Sequence, residues 1–413
     1  MHLSWPGGPL RGTAQLPASK SEANRTLILQ ALAGGGTIGN LSDAHDTQLM
    51  RRLLTTASST DVLDAEDAGT VMRFLTAYLA VTGWRGRLTG TARMQERPIA
   101  VLVDALRQAG ANITYLSNEG FPPLELAGFA AGAATEPTTL TVRGDISSQY
   151  ISALLMVGPH LPGGLRLQLT GHIGSRPYIN MTVALMQLFG AEYSAQDDTL
   201  LVRPGQYQPT DYTVEADWSA ASYWYSLVAL GPVGSEITLT GLWQESLQGD
   251  QAIAGMMTRF GVETTFLPHG IHLRQQPVAA SAEPLWLDFT DCPDLAQTVA
   301  VVAAALNIPV EMTGLESLRI KETDRIAALQ TELAKCGGNL REVADGRFRA
   351  ESTGFAVANQ SVATYHDHRM AMAFAPLALR GPLVIEGPTV VKKSYPQFWK
   401  ELAQSGFIIS EAE

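Results

Sequence analysis

Polar and apolar positions along this chain alternate in two rhythms. Stretches such as DAGTVMRFLTAYLAV, SSQYISALLMV and SAASYWYSLVAL open on polar residues and continue as apolar runs, which predicts helices that bury most of their surface. Shorter runs such as RLTG and ITLTG close on Gly, as strands do where the chain must turn. The same order recurs six times. Its first helices are SKSEANRTLILQAL, DAGTVMRFLTAYLAV, SSQYISALLMV, SAASYWYSLVAL, PDLAQTVAVVAAAL and HDHRMAMAFAPLAL. The strands that follow end at or near Asn40, Gly90, Gly171, Gly241, Gly314 and Gly387. A second polar cluster then opens a second helix: DTQLMRRLL, RPIAVLVDALRQAG, RPYINMTVALMQLFG, QGDQAIAGMMTRFG, KETDRIAALQTELAKCGG and SYPQFWKELAQSG. Six units of a βαβαββ kind predict an α/β chain of two domains with three units each, divided near residue 215. The Pro- and Ala-rich stretches GFAAGAATEPTT, RPGQYQPTDY and QPVAASAEP are further boundary or loop candidates, and the strand in RGTAQLPAS fits either half.

Composition narrows the function. The 413 residues are 46% hydrophobic and 17% charged, enough for more than one core. No apolar run reaches a membrane span, and the N-terminus has no signal-peptide or transit-peptide pattern, so a cytoplasmic protein with no membrane partner is expected. Two cysteines, Cys292 and Cys336, form neither a disulfide framework nor a metal spacing, and they read as packing residues in a reducing compartment. A net charge of −11 argues against a nucleic-acid partner. Any anion is therefore expected to be held by cations gathered locally.

Those cations stand at the predicted helix starts, where free backbone N–H groups and the helix dipole favour an anion and disfavour a lone cation. The first openings carry Lys20, Ser21 and Arg25; Gly69, Thr70 and Arg73; Ser147, Ser148 and Gln149; Asp294; and Asp367, His368 and Arg369. The second carry Arg97; Ser175, Arg176 and Tyr178; Lys321, Glu322, Asp324 and Arg325; and Lys392 and Lys393. Taken singly, each Ser, Thr or Asp has the plain reading of an N-cap, and Glu322 with Arg325 that of a surface pair. His366 and His368 point apart on a helix and find no further ligands at metal spacing, and DAGTVMRF lacks the glycines of a nucleotide loop. Lys321 and Arg325, four apart in what reads as the first helical turns, repel unless something lies between them. Cationic openings in corresponding places point to substrates carrying several phosphate or carboxylate groups.

KSEANRTLIL, DAGTVMRFL, MQERPI, SSQYISALLM, GSRPYINMT, PDLAQTVA, RIKETDR, YHDHRMAMAF and VKKSYPQF, in this order across nearly the whole chain, resemble the 5-enolpyruvylshikimate-3-phosphate synthase family. The resemblance implies a two-domain inside-out α/β barrel, three βαβαββ repeats per domain. It divides the chain into residues 1–17 plus 216–413 and residues 18–215, with the active site in the cleft between them. It implies no metal and no organic cofactor, and a monomer is the expected state. Shikimate 3-phosphate would meet Ser21, Arg25, Ser147, Ser148, Ser175, Tyr178, Asp294, Ser317 and Lys321, Ser317 replacing the family's usual Asn. Phosphoenolpyruvate would meet Lys20, Gly69, Arg97, Gln149, Arg325, Arg369 and Lys393. Asp294 would be the base on the attacking hydroxyl and Glu322 the main acid, assisted by Lys20. Glu322 between two cations should be the poorer acid for it unless burial or substrate charge offsets them.

Three other readings were open on residues alone. The enolpyruvyl transferase acting on UDP-N-acetylglucosamine carries a Cys where this chain has Ala92. An RNA terminal phosphate cyclase would need a basic surface. A non-catalytic clamp would need no convergent Lys, Arg and Glu.

Overall fold

A computed structural model describes residues 1–130, 136–145, 147–278, 283–357 and 359–411; parts of two boundary candidates, 131–135 and 279–282, lie outside the described residues. The chain forms two compact units, Lys20–Val214 and Met1–Ser19 with Glu215–Glu413. Among the described residues no helix is long and apolar enough to cross a membrane.

Each of the twelve polar-opened stretches contains one α-helix. In the unit Lys20–Val214 these are α1 Lys20–Ala33, α2 His45–Thr56, α3 Gly69–Val81, α4 Ala100–Gln108, α5 Ser148–Val157 and α6 Arg176–Leu188. In the other unit they are α7 Trp218–Leu230, α8 Ile253–Thr258, α9 Ala296–Leu306, α10 Arg325–Lys335, α11 His368–Phe374 and α12 Phe398–Gln404. The two helix classes differ in burial, as their patterns demand. In α7 every residue except Ser219 is buried, and in α9 the run Ala296–Ala304 is buried throughout, because a helix apolar on all sides has no face to give to water. In α10 Arg325, Ile326, Ala328, Leu329, Glu332 and Leu333 are buried, a single face at helical spacing. Truncating a core Leu such as Leu329 to Ala should cost about 2–5 kcal/mol.

Among the described residues, five four-stranded sheets share one pairing scheme, a parallel pair followed by two antiparallel neighbours. In the unit Lys20–Val214 one sheet runs Val62–Asp64, Arg85–Thr89, Leu124–Phe129, Ala111–Tyr115, and another Thr138–Arg143, Leu165–Thr170, Thr199–Val202, Tyr193–Gln196. The remaining sheet there is only the parallel pair Ile38–Gly39 and Tyr212–Thr213, since residues 57–61 alone separate α2 from the next strand. In the other unit, Thr13–Gln15 pairs parallel with Glu236–Thr240, which places the N-terminal strand in that unit. The other two sheets are built on Leu285–Asp288 with Val310–Thr313 and on Gln360–Val362 with Leu383–Ile385. The alternation in LRLQLT, 165–170, buries every second residue, so one face of that sheet packs on helices and the other meets water.

Five of the strand-ending residues adopt left-handed backbone: Asn40, Gly171, Gly241, Gly314 and Gly387, with φ of 51°, 74°, 87°, 75° and 57°. That region is nearly closed to residues other than Gly and Asn, which explains the punctuation read from the sequence. Cys292 and Cys336 are both buried and free.

Candidate active site

In the unit that holds both chain ends, α9, α10 and α11 begin on acidic residues that meet two guanidinium groups. Asp294 lies in the 3-10 turn Pro293–Leu295 that leads into α9. Asp324 caps α10 by accepting from the Ala327 amide at 3.1 Å, and Asp367 caps α11 by accepting from the Arg369 amide at 2.8 Å. Arg325, the first residue of α10 and only 2% exposed, then fans three ways. Its Nε donates to Asp367 Oδ2 at 2.6 Å, Nη1 to Asp294 Oδ1 at 2.8 Å and Nη2 to Glu322 Oε2 at 2.9 Å. Arg369 grips Asp294 from the other side, through Oδ2 at 2.9 Å and the backbone carbonyl at 3.2 Å. Lys321 Nζ stands 3.8 Å from Asp294 Oδ1, and Lys393 Nζ 3.7 Å from Glu322 Oε1.

These contacts correct one expectation and exclude one plain reading. Lys321 is not on the first turns of a helix; it follows the 3-10 segment Glu316–Ile320 with extended backbone, and α10 starts at Arg325, where Asp324 supplies the cap. Glu322 and Arg325 are not a surface pair, since neither side chain is more than 16% exposed. What lies between Lys321 and Arg325 is the Asp294 carboxylate, which both approach through the same oxygen. Burial alone would push the Asp294 carboxyl up, but Arg369, Lys321 and Arg325 outweigh it and hold the group well below the usual carboxylate range. Desolvation draws the Lys321 ammonium below its usual value, against the pull of Asp294. Ser317 sits half-buried on the 3-10 segment and, among the described residues, its hydroxyl bonds to none of this set.

The unit Lys20–Val214 assembles a second cationic set from α1, α3, α5 and α6. Lys20, the first residue of α1, reaches Asp46 on α2 at 3.1 Å. One turn on, Arg25 is buried, and its three nitrogens bond Thr182 Oγ1 at 2.7 Å, the Ser21 carbonyl at 2.8 Å and Ser152 Oγ at 2.9 Å. Its guanidinium lies 5.3 Å from the Phe74 ring centre and 5.7 Å from that of Tyr178. Burial brings the Arg25 pKa down to about 10, which leaves it charged at neutral pH.

Around Gly69, the first residue of α3, two more guanidinium groups gather. A Cβ at Gly69 would fall 2.6 Å from Arg73 Nη1 and 2.8 Å from Arg97 Nη1 and Nη2, so a side chain there would displace the cations themselves. Arg97 lies outside any helix with extended backbone, as the following Pro98 requires. Arg73 donates to the Gly69 carbonyl at 3.0 Å and to Gln149 Oε1 at 3.1 Å, stacking 5.1 Å over Tyr150; Gln149 in turn donates to Thr70 Oγ1 at 3.1 Å. Ser147 is the N-cap of α5, accepting from the Gln149 amide at 3.4 Å, and Ser148 begins that helix. Ser175, at the N-cap position of α6, holds left-handed backbone with φ 54° and makes no side-chain cap bond. A strained non-glycine residue at such a point is a common mark of a functional position.

Sequence reasoning thus found most of the charged residues but left Arg73 and Asp367 as mere helix openings and passed over Asp46, Thr182 and Ser152. The polar helix positions of Arg73 and Asp367 were the available signal; Thr182 and Ser152 gave none, being ordinary hydroxyls inside apolar helices.

Comparison with known proteins adds an independent line. The family model described as EPSP synthase (3-phosphoshikimate 1-carboxyvinyltransferase) matches residues 51–402. A 3-phosphoshikimate 1-carboxyvinyltransferase of Bacteroides fragilis is 50% identical over 410 residues, covering 98% of this chain and 97% of the relative. Its counterpart in Cellvibrio japonicus is 38% identical, covering 97% and 98%. Among solved structures, EPSP synthase from Acinetobacter baumannii matches with a TM-score of 0.80 over 99% of each chain at 21% identity, a shared mixed α/β fold.

Proposed function

Because this chain belongs to the EPSP synthase (3-phosphoshikimate 1-carboxyvinyltransferase) family, we propose how its two charged sets divide the work of that reaction. The protein transfers the enolpyruvyl group of phosphoenolpyruvate to the 5-hydroxyl of shikimate 3-phosphate and releases phosphate, a step of the shikimate pathway of aromatic amino acid biosynthesis.

Shikimate 3-phosphate is assigned to Ser21, Arg25, Ser147, Ser148, Ser175, Tyr178, Asp294, Ser317 and Lys321. Phosphoenolpyruvate is assigned to Lys20, Gly69, Arg97, Gln149, Arg325, Arg369 and Lys393. The substrates engage both sets, so that residues 1–17 with 216–413 and residues 18–215 act as two domains closing on them. The architecture is read as an inside-out barrel with three βαβαββ repeats per domain; the common pairing scheme of five sheets supports this. The chain is taken to work as a cytoplasmic monomer, the location supported by its two unpaired cysteines.

In the reaction the 5-hydroxyl oxygen bonds to the central carbon of phosphoenolpyruvate while its proton passes to Asp294. The methylene carbon takes a proton from Glu322, assisted by Lys20, and a tetrahedral intermediate forms. Breaking its C–O bond to phosphate and returning one proton from the new methyl group to the Glu322 carboxylate gives the enol ether product. The observation that carries this reading is Asp294, ionised and shared among Arg325, Arg369 and Lys321. Held so, it is a weak base. A substrate carboxylate or phosphate that draws on the same cations relieves this hold and raises its proton affinity at the moment it is needed. Mixing the protein with both substrates and following phosphate release tests the reading; release with UDP-N-acetylglucosamine in place of shikimate 3-phosphate overturns it.

A further inference from the structure

Beyond Arg369, across Ser219, lies a carboxyl group that the reaction above does not use. Asp250 belongs to the 3-10 turn Gly249–Ala252 that precedes α8 and is 3% exposed. Its Oδ2 accepts a short hydrogen bond from the Ser219 hydroxyl, and Ser219 Oγ lies 3.3 Å from Arg369 Nη2, which it accepts from. The other oxygen, Oδ1, is buried and has no hydrogen-bond partner among the described residues. A carboxylate with one bare oxygen in a dry site is unfavourable, whereas a protonated carboxyl there loses little. Ser219 is also the one residue of α7 that is not buried, so its position answers to Arg369 and Asp250 rather than to the core.

We propose that Asp250 is a positioning residue which, through Ser219, sets how strongly Arg369 holds an anionic substrate group, and that it takes up one solvent proton on Oδ1 when that group binds. The inference rests on the assignment of Arg369 to the phosphoenolpyruvate carboxylate. Arg369 already shares its charge with Asp294 at 2.9 Å. An ionised Asp250 adds a second internal anion on the same guanidinium and competes with an incoming carboxylate; a protonated Asp250 does not. The groups facing Asp250 pull both ways, and the upward pull prevails. Burial, then the charge of Asp294, lifts its carboxyl to about 7, with Arg369 and the Ser219 bond opposing and Asp217 assisting. Burial, then Asp250 itself, keeps the Cys292 thiol protonated, and burial does the same for the Tyr223 hydroxyl that touches Arg369 at 3.4 Å. Neither competes for the proton in this range.

The sign follows from linkage. An anion bound at Arg369 raises the proton affinity of Asp250, so binding is tightest where Asp250 is already protonated and weakens as pH rises through its titration. The KM for phosphoenolpyruvate should therefore climb between about pH 6 and about pH 9 by roughly tenfold more in the wild-type protein than in Asp250→Asn, one unit of coupled shift being tenfold in affinity. The substrate's own titration is common to both proteins and cancels. Asp250→Asn should change kcat less than about threefold, while Ser219→Ala, which cuts the relay, should flatten the same KM profile. In parallel, the Asp250 carboxyl is followed by carbon NMR of aspartate-labelled wild-type protein, with and without phosphoenolpyruvate. Its midpoint should move upward on binding. Should Asp250→Asn retain the wild-type KM profile, or the NMR midpoint stay fixed, the proposal is wrong. If phosphate release fails but the midpoint still moves, the relay stands and the assigned reaction falls.

Discussion

The Arg325 guanidinium donates through Nε to Asp367 at 2.6 Å, a charge pair in which the carboxylate is fully buried and the arginine 2% exposed. Asp367 also caps α11 through its second oxygen, so one side chain fixes both the helix start and the arginine. Removing one member of a buried pair leaves the other desolvated and uncompensated, which costs more than the pair contributes. Asp367→Ala should lower unfolding free energy by about 3–5 kcal/mol in urea denaturation. A loss below about 1 kcal/mol, the size seen at exposed pairs, would mean that Asp294 and Glu322 alone keep Arg325 in place.

The assigned catalytic groups should separate chemistry from folding. Lys20→Ala, Asp294→Ala and Glu322→Ala are each expected to lower kcat by more than about 100-fold, the usual range for a proton-transfer or oxyanion group, while circular dichroism stays native. Phosphate release under saturating substrates is the measurement. Near-wild-type turnover in any one variant removes that residue from the mechanism.

How much of this was legible beforehand depends on how far each signal reaches along the chain. Helix periodicity and strand-ending Gly or Asn are local, and α1 to α12 fell on the polar-opened stretches, though α8, α10 and α12 start four or five residues past the opening. Partnerships were not local. Asp294 stands 31 residues before Arg325, and Asp367 stands 42 after it, so nothing in KETDR announced that Lys321 and Arg325 converge on one carboxylate. Even within KETDR the pattern misled, because Lys321 reads as part of the first turns until the Asp324 cap bond to Ala327 sets the helix start at Arg325. Asp46 looked like an ordinary acidic residue in a first helical turn until folding set it 3.1 Å from Lys20.

Two glycines should respond in opposite ways to the same substitution. At Gly69 the atoms nearest a methyl group are guanidinium ends, 2.6 Å away for Arg73 and 2.8 Å for Arg97, side-chain tips that can shift where backbone cannot. Gly69→Ala should therefore leave the melting temperature nearly unchanged but raise the KM for phosphoenolpyruvate by roughly tenfold or more, as displaced cations lose about 1.4 kcal/mol of binding per decade. An unchanged KM would show that Arg97 does not serve that substrate.

At Gly314 the obstacle is backbone. Its φ is 75°, and a Cβ would stand 2.2 Å from the Thr290 amide nitrogen, an atom fixed by the neighbouring turn. Gly314→Ala should destabilise the fold by at least about 2 kcal/mol, the left-handed penalty plus the shift needed to clear the clash. Urea denaturation reads the loss directly. Stability within about 0.5 kcal/mol of wild type would mean that this strand end relaxes freely.

The cluster at Asp294 also predicts how stability responds to acid. Burial opposes ionisation there, but Arg369, Lys321 and Arg325 prevail, and the folded-state pKa lies below the ordinary value of 3.8. A carboxyl whose folded pKa is depressed contributes stability that is complete above its unfolded value and is lost as pH falls through the folded one. Wild-type protein should thus lose unfolding free energy more steeply than Asp294→Asn as pH drops from about 5 toward about 2, although the variant starts lower because it leaves three cations without their shared anion. Urea unfolding at a series of pH values gives both slopes. Parallel curves would mean that Lys321, Arg325 and Arg369 find other partners when Asp294 is neutral, and that the carboxylate is not what holds these cations together.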